Sequence, residues 1–241
     1  MSLLGCPTKQ PKIDTLRSMN GPAEHMLANA KPAMPRFHII GWSFLHGRAD
    51  FDIENLETLL SITPESRGAL IPPPGRRGFP TYPEKPRVVI GKRKKGPPPS
   101  DIEMFGDYWL VSDRLKVLFE ALDGSAFAFQ SCDILTSSGS AGPTYWLCDV
   151  VRVLEAFDEQ TSQRLRQNRL KFPSLRTARL LYFDAVAIGK AHIFRTPYWI
   201  PDIFCDQIVK DACKRAGIKG LRFVDCTPKT ARKQGSAESG Q

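Results

Sequence analysis

The sequence predicts an α+β fold: a mixed sheet packed against a few helices, with a long proline-rich loop and flexible termini. Three observations carry this. Residues 106–134 read as one complete strand–helix–strand unit. Residues 202–225 echo the pattern, with a helix ending at glycine before a final strand. Between residues 64 and 100, proline and glycine recur too often for regular structure, since proline fixes φ and cannot donate to a sheet ladder.

In chain order, residues 1–35 carry Pro, Gly, Ser, Asn and Lys without periodicity and are expected to form a flexible arm. A single domain is expected over 36–228. It opens with a strand at residues 37–40, which Trp42 and Phe44 extend by alternation, and residues 55–61 suit a short helix. The stretch 64–100 is expected to run as extended surface loop, broken by a short strand at 88–90. In the 106–134 unit, residues 108–111 form an apolar strand and Ser112 suits an N-cap, its hydroxyl facing orphan N–H groups. Leu115, Leu118, Phe119 and Leu122 share one helical face, and Gly124 is expected to end the helix in the left-handed conformation. Phe127 and Phe129 then alternate with polar or small residues as in a strand. Residues 136–143 form a turn and 145–154 the next strand, with 155–166 either a helix or a polar excursion. Residues 179–187 read as a strand, 191–194 as a shorter one, and 198–200 as extended chain. A helix is expected from Asp202 onward, with Cys205 or Asp206 near its start, striped by Ile208, Val209, Ala212 and Ala216 and stopped by Gly217. Leu221, Phe223 and Asp225 close the fold, and 229–241 is expected to be a disordered tail. The two strand–helix–strand units look alike either for local reasons or because the core is duplicated.

Composition bounds the function. The chain has 241 residues, 41% hydrophobic, enough for one sizeable core. No apolar run approaches the roughly 18 residues that span a bilayer, and the first residues lack the basic-then-apolar order of a signal peptide. Six cysteines without a C-x-x-C pair suggest reduced, buried thiols in a cytoplasmic protein. The net charge of +9 is concentrated. Six basic residues and no acid lie in 85–95, six more and no acid in 164–179, and both termini are basic, so the rest of the chain is acidic.

Catalytic signatures are lacking: no phosphate-binding glycine loop, no nucleophile elbow, no HExxH. The four histidines follow no ligand spacing, and His38 sits among apolar neighbours as a structural residue would. Cys205 near a helix start reads as a cap or core residue, although such a position can lower a thiol pKa. An enzyme reading needs a pocket with convergent polar groups around Cys148 or His192. The lysine run at 92–95 lacks the interleaved aromatics of single-strand binders. A nucleic-acid-binding protein using 85–95 and 164–179 is therefore an alternative rather than the main reading.

The runs FPTYPEKP, PPSDIEMFGDYWLVSDRLKVLFEALDGSAF, YWLCDVVRVLEAFDEQTS and IFRTPYWIPDIFCDQIVKDACKRAGIKGLRFVD resemble a bacterial immunity-protein family over residues 36–226. That family was first a domain of unknown function and then the eleventh immunity class of polymorphic toxin systems. The resemblance implies a cytoplasmic α+β protein that neutralises a cognate protein toxin by direct binding, with no catalysis, cofactor, metal or membrane. The chain departs from the family at Cys205, where a Ser-like cap is expected, which implies a weaker cap. Aromatic and arginine side chains dominate interface energetics. They pick Arg76, Arg77, Phe79 and Tyr82 on the loop, Arg93 and Lys94 in the lysine run, and Arg166 and Arg169 in the arginine segment as exposed contacts.

Overall fold

The computed structural model describes residues 35–42, 50–60, 70, 72, 76–91, 99–167, 181–198 and 202–226. All of them lie in the second of the two units into which the chain divides, Met34–Gln241. The strands are β1 (Phe37–Trp42), β2 (Phe51–Ile53), β3 (Arg87–Ile90), β4 (Ile102–Phe105), β5 (Tyr108–Ser112) and β6 (Phe127–Ser131). They continue as β7 (Asp133–Thr136), β8 (Tyr145–Val150), β9 (Ile193–Arg195), β10 (Ile203–Asp206) and β11 (Leu221–Asp225). The helices are α1 (Leu56–Leu60), α2 (Asp113–Asp123), α3 (Glu159–Gln167), α4 (Ala185–Ile188) and α5 (Gln207–Arg215). The α+β class holds, with the strands gathered in three sheets.

Two of the sheets share one plan. The first runs β4-β5-β8-β6 and the second β9-β10-β1-β11, antiparallel throughout. In the first, α2 carries the chain from β5 to β6 across the intervening β8. In the second, α5 carries it from β10 to β11 across β1. Each is a split β–α–β unit with one hairpin strand added at the edge. The third sheet, β2-β3-β7, contains the parallel pair, β3 with β7.

Alternation along the strands sorts side chains into separate cores. Trp109, Val111, Cys148 and Val150 of the first sheet meet Ile40, Ile203 and Cys205 of the second, with Leu115 and Phe119 of α2 and Val209 and Cys213 of α5 between them. Each fully buried aliphatic or aromatic side chain there contributes about 1.5–3 kcal/mol. The opposite face of the first sheet packs Tyr108, Leu110, Tyr145 and Leu147 against Val88 and Ile134 of the third. The opposite face of the second packs Ile39, Phe194 and Phe204 against Phe157 and Leu181.

Both helix starts follow from their caps. Ser112 Oγ accepts from Leu115 N at 3.3 Å, as the sequence suggests. The second helix begins later than Asp202: residues 203–206 form β10, and Asp206, one of the two residues expected near the start, caps α5 by accepting from Val209 N at 3.1 Å. Cys205 is thus a core residue of β10, and the cap is a full carboxylate rather than a weakened one. Gly217 takes the left-handed conformation after α5 (φ 62°). Gly124 does not; it remains right-handed and leads into a tight 3-10 turn, Gly124–Ala126. The strand expected at 179–187 is also revised. Within it, Phe183 forms only an isolated bridge to Phe157, and Asp184 caps α4 through the Val186 and Ala187 N–H groups. Residues 145–154 leave the sheet at Val150. The expected arm, the tail 229–241 and the 92–98 part of the loop lie outside the described residues.

Candidate partner-binding surface

The proline-rich loop is fastened by its own first residues. Gly78 adopts φ 97°, a conformation that favours glycine. Its N–H donates to Asp149 Oδ2 at 2.7 Å while its carbonyl accepts from the Tyr108 hydroxyl at 2.9 Å. The Phe79 ring packs on Tyr108 with centroids 4.5 Å apart. Tyr82 lies beside them, its phenol pushed up to about 12 by burial. The Arg77 guanidinium is ion-paired with Asp149, whose side chain is fully buried on β8. Arg195 of β9 reaches the same carboxylate at 3.4 Å and donates from Nε to the Val150 carbonyl at 2.9 Å. Burial, reinforced by the nearby Arg77 charge, lowers Arg195 to about 10 despite Asp149. One buried carboxylate thus joins the loop, the first sheet and the second sheet.

This changes what the sequence-chosen residues do. Arg76 is exposed as expected. Arg77, Phe79 and Tyr82 turn inward, because the loop plugs the open face of the first sheet instead of running through solvent. Arg166 lies in α3, its side chain outside the described residues, and Arg93, Lys94 and Arg169 lie outside them altogether. In the basic segment 85–95, Lys85 pairs with Asp133, and Arg87 with Glu54 and Glu84.

Positive charge without such partners lies on α5 and the strand after it. Among the described residues, no ion pair involves Lys210, Lys214, Arg215, Lys219 or Arg222. All but Lys210 are exposed. Sequence reasoning passed over them because they are spaced among apolar residues, not gathered in a run. The signal was there: α5 has basic Lys214 and Arg215 in its last turn, and Lys219 and Arg222 follow at once.

The residues raised for catalysis serve the fold. Burial pushes the Cys148 and Cys205 thiols well above their ordinary range, and both sit in the core shared by the two sheets. His192 Nδ1 lies 2.7 Å from Asp206 Oδ2, and the other oxygen of that carboxylate caps α5. His38 is fully buried, with Nε2 2.8 Å from Gln207 Oε1. A shallow depression is lined by Gln160, Thr161, Arg164 and Tyr182; neither Cys148 nor His192 borders it. Among the described residues, no three His, Cys, Asp or Glu side chains converge to hold a metal ion, and no helix is long and apolar enough to cross a membrane.

The fold and its polar contacts thus define an α+β protein built on two split β–α–β units, with the Asp149 and Asp206 carboxylates fastening a loop and a helix end. The model of the Immunity protein family (Imm11) matches residues 54–228, and the chain belongs to that family. Membership points to a role in toxin immunity. No curated protein matches the chain. The matched range omits β1, the strand that lies between β10 and β11.

Proposed function

We propose that this chain is the immunity partner of a cognate toxin in a bacterial polymorphic toxin system, acting in the cytoplasm by direct protein–protein binding without catalysis. Family membership over 54–228 carries this reading. The engagement of the residues raised for catalysis and of their neighbours supports it: Asp149, Asp206 and His192 hold structural contacts, and the buried Cys148 and Cys205 are sealed as protonated thiols. The nucleic-acid alternative is weakened by the pairing of Lys85 and Arg87 with acidic neighbours. Arg76, Arg93, Lys94, Arg166 and Arg169 are one candidate contact set. Arg77, Phe79 and Tyr82 act behind it by holding the loop.

Co-expression with a toxin-like domain, if the neighbouring gene encodes one, tests the reading. Survival of the cells together with recovery of a stoichiometric complex is the expected result. Cell death without a complex removes the proposal, and protection without a complex removes its binding mechanism.

A further inference from the structure

We infer that β6 is the edge by which two copies of this chain pair, antiparallel and about a two-fold axis at Phe129. The pairing does not depend on toxin binding. The four edges of the two split β–α–β units differ in how they are protected. β9 is covered: Arg195 N donates to the Arg152 carbonyl, and the Arg195 carbonyl accepts from Leu154 N, both at 2.9 Å. β4 carries Glu103 and abuts Gly220, where a Cβ would come within 2.9 Å of the Ile102 carbonyl oxygen. β11 carries Arg222 and Asp225. β6, with the sequence FAFQS, has neither a charge nor a proline, the devices that ordinarily keep an edge strand from pairing.

The backbone of this edge has a definite pattern of donors and acceptors. Val151 N donates to the Ala126 carbonyl at 2.8 Å, so in the register of β6 with β8 the residues that bond to β8 are Ala128 and Gln130. Phe127, Phe129 and Ser131 turn their N–H and C=O groups to the open flank. Two of those six groups are used within the chain: Phe127 N donates to the Gly124 carbonyl, and the Ser131 carbonyl accepts from Gln130 Nε2 at 3.1 Å. Among the described residues no hydrogen bond reaches the other four, which are the Phe127 carbonyl, both groups of Phe129 and the Ser131 N–H. These four are self-complementary. With Phe129 opposite Phe129 of a second copy, the two residues exchange both bonds, and each Ser131 N–H donates to the Phe127 carbonyl of the other chain. The two groups that then face each other, Phe127 N–H and the Ser131 carbonyl, are the ones already satisfied. Sliding the pairing by two residues leaves a free group in each chain unmatched. The side chains agree with a copy as occupant. The Phe129 rings fall directly opposite each other, a favourable cross-strand pair, and Ala128 falls opposite Gln130. No charge on β6 meets its like, and Lys116, which lies 5.2 Å from the Phe129 ring centre, is neutralised by Glu120 at 2.7 Å. An uncharged edge whose open groups match their own reversed order fits an isologous contact.

Sedimentation velocity of the full chain over a concentration series tests the pairing. A dimer that forms between about 10 and 500 μM is expected, weak because a five-residue edge buries less than the roughly 1,200 Å² of stable complexes. Ser131→Pro removes an outward N–H and no bond to β8, so the thermal midpoint should stay near that of the wild type. The concentration at half-dimer should rise by about tenfold or more, because each dimer loses two hydrogen bonds. If Ser131→Pro instead unfolds the chain, Phe129→Lys and Phe129→Glu decide. Each alone should be monomeric throughout the series, and an equimolar mixture should restore the dimer, because the two positions meet only across this axis. A wild type that is monomeric throughout overturns the inference. So does a folded Ser131→Pro chain that dimerises as the wild type does, or a mixture no more associated than its components. In a monomeric wild type, amide exchange at Phe129 and Ser131 that slows on adding a cognate toxin assigns the edge to a strand of the toxin instead.

Discussion

The two split β–α–β units share a topology but are filled and joined differently. In the first, the strand inserted between β5 and β6 is β8, which follows soon after them in the chain. In the second it is β1, from the beginning of the described chain, so that Phe37 pairs with Asp206. One unit closes locally; the other needs a contact between distant parts of the sequence, the kind that slows folding. The junctions between them are reciprocal. Asp101, just before β4, accepts from Lys219 N at 2.7 Å in the loop after α5. Asp123, at the end of α2, accepts from His192 N at 2.8 Å just before β9. Each helix-end loop therefore meets the first strand of the other unit, with the carboxylate on opposite partners. The comparison separates what the scaffold requires, namely caps, buried positions and a carboxylate at each junction, from what is left to vary. The outer charges of the helices belong to the second group.

The largest way to break the pairing is to remove the carboxylate that both sheets share. Asp149→Ala leaves Arg77 and Arg195 without their buried counter-charge and Gly78 N without its acceptor. We expect a loss of at least about 4 kcal/mol in denaturant unfolding, with proteolysis newly directed to residues 76–82. Next come the equivalent core positions. Phe119→Ala should cost about 3–4 kcal/mol, because its ring stacks on Phe127 at 4.6 Å and leaves a cavity. Cys213→Ala, at the matching site of α5, removes one atom and should cost about 1 kcal/mol. Equal losses would mean that the shared core is not divided between the helices as described.

Sequence reasoning reached the elements whose signals are local. The Ser112 cap, the Leu115 and Phe119 face and the Gly217 stop reappear, while of the expected α5 stripe Val209 and Ala212 are buried and Ile208 and Ala216 are exposed. β2, β4 and β7 escaped because a strand of three or four residues carries almost no periodicity and, unlike RVVI of β3, FDI, IEMF and DILT each interrupt their apolar residues with an acid or open on one. Asp184 was absorbed into an apolar run although its cap role ends any strand there. The surface residues were harder for a physical reason. Arg77 faces inward because of Asp149, 72 residues away, and no local pattern holds that contact. Yet Asp149 itself was readable: a carboxylate within YWLCDV, inside a strand with apolar neighbours, needs a buried partner. Arg195 in IFR made the same demand.

Smaller effects sharpen the comparison of the caps. Ser112→Ala removes the hydroxyl's contact to Leu115 N and its donation to Asp101 at 2.8 Å, and should cost about 1 kcal/mol. Asp206→Ala should cost somewhat more, up to about 2 kcal/mol, because a carboxylate also favours the helix N-terminus electrostatically and here holds His192. Thermal unfolding of the two variants side by side should rank them in that order. Asp206→Asn, which keeps an oxygen acceptor for Val209 N, should recover most of the difference.

The finest distinction is one of pH. Burial holds the His38 ring below its ordinary range, offset only in part by the Gln207 hydrogen bond, and nearby Lys210 lowers it further. A histidine depressed in the folded state is neutral there and takes its proton first when unfolded. Its contribution is full above about pH 6.5 and is lost as pH falls from there towards the folded value. For Asp101, burial alone would raise the carboxyl, but Arg114, the Lys219 N–H and Ser112 bring it below its ordinary value. Asp123 is likewise opposed by burial and lowered overall by Arg152 and the His192 N–H. Their contributions are full above about pH 4 and vanish only below it. Acidification should therefore weaken the second unit before it opens the junctions. Amide exchange at β1 and β10 should accelerate between about pH 6.5 and 5 relative to exchange at β5 and β8. His38→Gln, which cannot titrate, should abolish that difference while leaving the loss below pH 4 in place. If the variant shows the same change between pH 6.5 and 5, the proton is taken up elsewhere, and His38 is not what distinguishes the two units in acid.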